Sequence, residues 1–192
     1  MVALTMYIDD SGTSPKNEVA VAAGWIAPIQ EWKKFERDWE RAKRVKGDEF
    51  SCFHMAEFAF GKKESEFENW SYEKKKRVLT RLSNIIKQRA SKEFCLCVKK
   101  KDYDDLVPQE LRAARGQDHY TWVVRNVLGL IRKWRVANKL RMPVEYIFDW
   151  IEPRELRRKE IENAFAMAES EPNALELYGV HKPTQLSMSA MR

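Results

Sequence analysis

The residues best suited to chemistry stand in one short run, "MYIDDSGTSP", residues 6–15. Asp9 and Asp10 follow Met6, Tyr7 and Ile8 directly, and Ser11, Gly12 and Pro15 come next. Met-Tyr-Ile reads as strand, and a carboxylate at the end of a buried strand is costly unless something pairs with it. A metal ion is one such partner. The pattern returns in "EYIFDW", residues 145–150, where Asp149 closes a second apolar run. In α/β sheets, loops and side chains converge at strand ends, so Asp9 and Asp149 would face each other if their strands are neighbours. Converging hard oxygen ligands, with no Cys or His in the motif, favour Mg²⁺ or Mn²⁺ over zinc. Two such ions about 4 Å apart can clamp the attacking and leaving oxygens of a phosphodiester. Turn chemistry offers another reading, in which Asp9 and Asp10 serve an Asx turn and Asp149 caps a following helix. Spacing alone leaves both open.

The elements that must position these acids alternate between two periods. Residues 2–9 and 18–28 read as strands joined by the turn-rich "DSGTSPKN", a hairpin with a long loop. Trp32, Phe35 and Trp39 then recur at helical spacing up to Gly47, while residues 48–69 hold no sustained period. Ser71 is a natural N-cap for a helix to residue 90, with Val78, Leu82, Ile85 and Ile86 as its apolar stripe. "KEFCLCVKK", 92–100, predicts a third strand, and "KDYDDLVP" marks the exit from it. Asp118 opens the strongest helix pattern, 118–140, whose buried face would be Tyr120, Val123, Val127, Leu130, Ile131 and Trp134. Residues 143–150 predict a fourth strand. Residues 152–170 predict a last helix with a Leu156, Ile161 and Phe165 face, and one short strand could follow. With no repeat, low-complexity tract or linker, the expectation is one α/β domain over 1–192.

Composition agrees with a folded enzyme or binding module. Hydrophobic residues make up 44% of 192, with seven Trp and nine Phe, enough for a sizeable core. The net charge of +6 is mild and permits nucleic-acid binding without establishing it. Cys52, Cys95 and Cys97 have neither metal-ligand spacing nor a disulfide framework. Cys95 and Cys97 would share one face of the third strand, as small core residues. Odd cysteines and no signal peptide point to a reducing compartment, the cytoplasm. No apolar run approaches the roughly 18–20 residues of a membrane span. There is no Walker spacing and no assignable Ser/His/Asp set.

Beyond the aspartates, "FHMAEF" sets His54 three residues before Glu57, on one face if this is a helical turn. His54 is then a general acid or base, or a substrate contact, or a satisfied core or surface residue. His119 and His181 read as structural, one at a helix start and one in a loop. The basic runs 74–77, 99–101 and 154–159 offer Lys74, Lys75 and Lys99 to a phosphate backbone, with Ser11 as a further substrate contact. Each run also suits a solvated face.

"YIDDSGT", "VAVAAGWIAP", "EWKKFERDW", "FHMAEF" and "YIFDWIEP", in that order and spacing, resemble the family known as domain of unknown function 3800. The family's opening is usually Tyr-Ile-Asp-Glu-Ser-Gly, and here Asp10 stands where Glu is usual. The resemblance implies a ribonuclease-H-like mixed sheet, with strands 1–3 antiparallel, strand 4 beside strand 1, and helices packed on it. It implies Asp9 and Asp149 as metal ligands, with Asp10, His54 and Glu152 as neighbours. It implies a divalent-metal-dependent nuclease or phosphoryl-transfer enzyme acting on nucleic acid. The family's closing Leu-Gln-x-Ala-Asp segment has no counterpart in "QLSMSAMR", which leaves two readings open, a truncated form or the loss of the last helix. A two-metal site needs about three or four carboxylates. The rival reading is therefore a non-catalytic binding or scaffold module of the same fold.

Overall fold

The structure, a computed structural model, describes residues 4–148, 155–169 and 180–181. In chain order its elements are β1 (Leu4–Ser11), β2 (Val19–Pro28), α1 (Ile29–Lys43), α2 (Met55–Phe60), α3 (Tyr72–Arg89), β3 (Lys92–Lys99), α4 (Lys100–Leu106), α5 (Gln109–Arg115), α6 (His119–Ala137), β4 (Val144–Phe148), α7 (Glu155–Glu169) and β5 (Val180–His181). They fall into two compact units. The described residues of the first lie within Met1–Pro28 and Lys92–Leu186, and those of the second within Ile29–Ser91.

The first unit is built on one mixed sheet in the order β3-β2-β1-β4, with the two-residue β5 added beside β4. β1 runs antiparallel to β2 and parallel to β4, and β2 runs antiparallel to β3. This is the strand arrangement that the resemblance implies. Alternation decides which way each strand faces. Leu4, Met6 and Ile8 of β1, Ala22 and Ile26 of β2, Phe94 of β3, and Val144 and Tyr146 of β4 share one core with Val123, Val124, Val127 and Ile131 of α6. Ile161 and Phe165 of α7 complete it, with the Tyr146 and Phe165 rings 5.3 Å apart. Asp118 caps α6 as predicted, accepting the Tyr120 and Thr121 amides. Gly24 of β2 is needed for close approach, because a Cβ there would lie 2.0 Å from the Tyr7 carbonyl oxygen.

Four details differ from the sequence reading. β1 runs on through Ser11, so Asp9 and Asp10 lie inside the strand. Cys95 and Cys97 do share a face, but it is the exposed one. Phe94, Leu96 and Val98 alternate with them and, being larger and more apolar, take the core side. Leu130 is exposed while its neighbours Leu128 and Ile131 are buried, so the buried stripe of α6 is narrower there than predicted. His181 lies in β5 opposite Tyr146 rather than in a loop. The residues after β3 form α4 and α5, which the sequence does not announce. Seven residues give no visible period, α5 buries no side chain, and α4 buries only Tyr103.

The second unit is helical. Ala42, Phe50, Phe58, Phe67, Val78, Leu82 and Ile85 form its core, with Phe35, Trp39, Phe53 and Trp70 packed around it. Ser71 caps α3, accepting the Lys74 amide at 3.2 Å. Arg89 ties α3 to α1, its Nε donating to Asp38 Oδ2 at 2.8 Å and its Nη1 to Glu31 Oε2 at 3.4 Å. Among the described residues no helix is long and apolar enough to cross a membrane.

Candidate functional site

The strand pleat separates the two opening aspartates. Successive side chains of β1 point to opposite faces. Asp10 follows Met6 and Ile8 to the α6 side and is half-buried, whereas Asp9 and Ser11 face the other way and are exposed. Asp9 lies opposite Ala23, and Asp10 opposite Ala22, so β2 puts only methyl groups beside the two carboxylates. Asp9 Oδ1 accepts the Asp10 amide at 2.8 Å, which orients its carboxylate.

The parallel partner strand brings the second aspartate motif alongside. Leu4 pairs with Val144, Met6 with Tyr146 and Ile8 with Phe148. The paired register thus ends one residue before Asp9 on one strand and one residue before Asp149 on the other. Asp149 and Glu152 themselves lie outside the described residues. Lys99 closes β3 on the same face as Ser11, as the pairings Ser11–Val21–Cys97 and Val19–Lys99 require. Its Nζ is 3.6 Å from Asp102 Oδ1, a pair with both side chains more than half exposed, so the charge is solvated.

The other predicted residues belong to the helical unit. His54 stands at the N-cap position of α2, exposed, and its ring makes no capping bond. Glu57, in the first turn, is 3.6 Å from Lys62 Nζ. Lys74 Nζ lies 3.8 Å above the Trp70 ring, and Lys75 Nζ lies 5.9 Å from the Phe58 ring. Both ammonium groups thus sit over aromatic faces, as cation–π pairs do. In the sheet unit, His119 Nε2 is 3.0 Å from Asp104 Oδ1 and its ring packs edge-on to Tyr103.

Carboxylates are hard oxygen donors, and the exposed, oriented Asp9 fits Mg²⁺ or Mn²⁺ chemistry. Among the described residues no group of three or more His, Cys, Asp and Glu side chains is placed to hold one metal ion.

One feature escaped the sequence reading. A cleft of about 260 Å³ lies between α5 and α6, lined by Leu111, Arg115, Trp122, Arg125 and Asn126. The helical spacing of Trp122, Arg125 and Asn126 was legible, but the opposing wall is α5, whose polar sequence carries no periodic signal.

No protein-family model matches the chain, and no curated protein matches it significantly. The family resemblance therefore rests on the motifs themselves.

Proposed function

We propose that the chain is a divalent-metal-dependent phosphoryl-transfer enzyme acting on nucleic acid, with Asp9 and Asp149 as ligands for Mg²⁺ or Mn²⁺. One observation carries the reading: β1 and β4 are parallel neighbours in register up to Ile8 and Phe148, and an aspartate follows each in sequence. When bound, such an ion acidifies a water and polarises a phosphoryl oxygen. The chain's own residues supply the rest. Asp9 holds a fixed carboxylate on regular strand, oriented by the Asp10 amide. Ser11, on the same face, donates its hydroxyl to a phosphate oxygen. Lys99, on that face too, offers its ammonium group to the flanking backbone.

The second reading is a non-catalytic nucleic-acid-binding or scaffold module. It would keep the same sheet and the exposed basic Lys99 without a full set of metal ligands.

Asp9→Asn separates the two, because it removes a charge and keeps the shape. End-labelled single- and double-stranded DNA and RNA are incubated with Mg²⁺, with Mn²⁺ and with chelator. Cleavage that needs the ion and vanishes in Asp9→Asn, with an unchanged circular dichroism spectrum, supports the enzyme. Equal cleavage by both proteins refutes it. Salt-sensitive binding without cleavage, with a slope near −0.9 per neutralised phosphate on duplex DNA, supports the module.

A further inference from the structure

We infer that the cleft between α5 and α6 is a binding site for one nucleotide, its phosphate held by Arg115 and Arg125 and its base laid against Trp122. The inference begins from charge. Two guanidinium groups line one small cleft, and among the described residues neither is in an ion pair. Like charges side by side are unfavourable unless an anion bridges them. The neighbourhood shows the contrast. Arg112, on the same helix as Arg115, lies 3.5 Å from Asp104. Glu160 is the acid whose field reaches Arg125, but its oxygens already accept the Gln117 and Asp118 amides at 2.7 and 3.2 Å.

Arg125 is also half-buried, and its Nε is shielded from water without a hydrogen-bond partner among the described residues. Burial, and then the Arg115 charge, pull its pKa below the usual arginine value. A fork of N–H donors in that state suits a phosphate, which accepts two parallel bonds from one guanidinium.

The remaining walls suit a base. Trp122 is half-buried and is steadied by Tyr103, whose ring is 5.3 Å away. Its indole therefore presents a fixed aromatic surface, and aromatic surface stacks any base. Leu111, an exposed apolar side chain, lines the cleft with it. Asn126 uses its Nδ2 on the Trp122 carbonyl at 2.8 Å, which leaves its side-chain oxygen to accept from a base amino group. The volume is just under that of ordinary ligand pockets, which fits part of one nucleotide better than a larger molecule. Tyr103 sits in α4, directly after β3, and β3 ends at the same end of the sheet as Ser11, since Val21 pairs with both Ser11 and Cys97. Trp122 thus packs against the helix that leaves the sheet at the end carrying Ser11. The cleft uses none of the proposed metal ligands and does not rest on that reading.

The test is calorimetric titration of the full chain in chelator, so that no divalent ion contributes. The probes are AMP and UMP, adenosine, inorganic phosphate, and a ten-residue oligonucleotide without terminal phosphates. At least one mononucleotide should bind about tenfold or more tighter than either adenosine or phosphate. Arg115→Gln and Arg125→Gln should each weaken it about tenfold or more, as expected for charge-assisted bonds. Trp122→Leu should weaken it by a similar factor. Arg115 is exposed, so its variant keeps the fold and tests the site even if Trp122→Leu unfolds. Tighter binding of the oligonucleotide, still sensitive to both arginines, assigns the nucleotide to a strand; tighter binding of the mononucleotide assigns it to a free ligand. Mononucleotides binding no better than phosphate, or affinity unchanged in both arginine variants, overturn the inference. Neither result touches the Asp9 proposal, which the cleavage assay decides on its own.

Discussion

In the sheet unit, β1, β2 and β3 answer one another residue for residue, and backbone pairing fixes which face each side chain takes. In the helical unit, residues 44–54 and 61–71 join the helices with no such ladder, and side chains do the holding. Asp48, almost fully buried, receives Arg77 through Nε at 3.0 Å and Nη2 at 2.6 Å, and Arg81 through Nη2 at 2.6 Å. Glu66 accepts from the Ser51 amide and hydroxyl and from the Cys52 amide, at 2.7, 2.9 and 3.0 Å. Phe67 packs against Phe50, Phe53, Phe58 and Trp70, with centroids 5.0 to 6.2 Å away. The difference bears on the candidate residues. Asp9 sits on backbone that many hydrogen bonds hold in common. His54 and Glu57 sit on a segment that a few particular side chains keep in place.

The largest effect should follow from deleting the ring at the centre of the helical unit. Phe67 is fully buried, and Phe67→Ala should destabilise by about 3–5 kcal/mol, since little surrounds it that can collapse into the space. Urea unfolding measures it. A loss under about 1 kcal/mol would mean that the ring cluster is not what holds residues 44–71. The matching break in the sheet unit is Gly24→Ala. The new methyl meets the Tyr7 carbonyl at 2.0 Å and the Met6 side chain at 2.7 Å, so β1 and β2 must part locally. Roughly 3 kcal/mol is expected, together with faster amide exchange along Tyr7–Asp9; unchanged exchange would contradict the close approach.

Asp48→Asn comes next and carries a pH signature. The Arg77 and Arg81 hydrogen bonds hold the Asp48 carboxyl well below the usual carboxylate range. Removing the charge should cost about 2 kcal/mol at neutral pH, less than for a fully buried pair because Arg77 is largely exposed. A depressed folded-state pKa stabilises above the unfolded value, near 3.9, and that stabilisation is lost as pH falls through the folded value. The wild-type advantage should therefore be complete at pH 7 and narrower by about 1 kcal/mol at pH 3. A gap that does not change with pH would assign Asp48 a packing role only.

The same division explains what could be read in advance. β1 to β4, α1, α3 and α6 were legible because burial on one face imposes a period of 2 or 3.6 on apolar residues, and Ser71 and Asp118 announced their caps chemically. The aspartates were legible because Asp9 and Asp149 interrupt such a period. α2, α4 and α5 were not legible. α5 buries nothing, α4 buries one tyrosine, and α2 lies among stretches tied by Asp48 and Glu66 to groups 14 to 33 residues away. A local pattern cannot show such ties. The α5–α6 cleft was hidden for the same reason, because one of its walls has no periodic signal.

Cys95 and Cys97 test how far alternation alone carries in the sheet unit, and here the smallest effect is expected. Periodicity gives their common face but not its direction, because a strand with apolar residues in both registers can bury either set. In β3 the competing sets are Phe94, Leu96 and Val98 against Cys95 and Cys97, and the first removes far more apolar surface from water. The thiols consequently lie exposed, with Glu93 and Lys99 on their face at the two ends of the strand. Cys95→Ala and Cys97→Ala should each change stability by less than about 0.5 kcal/mol. In the native protein an aromatic disulfide reagent should modify these two thiols quickly and Cys52, which is half-buried, more slowly. Phe94→Ala on the same strand should cost several times more, about 3 kcal/mol, because it empties the core side. Protected thiols at 95 and 97, or an alanine penalty there comparable to that at Phe94, would mean that β3 presents its other face to α6. The pairing of the strand could survive that result, but the assignment of Ser11 and Lys99 to one shared face could not, because it follows from the same register.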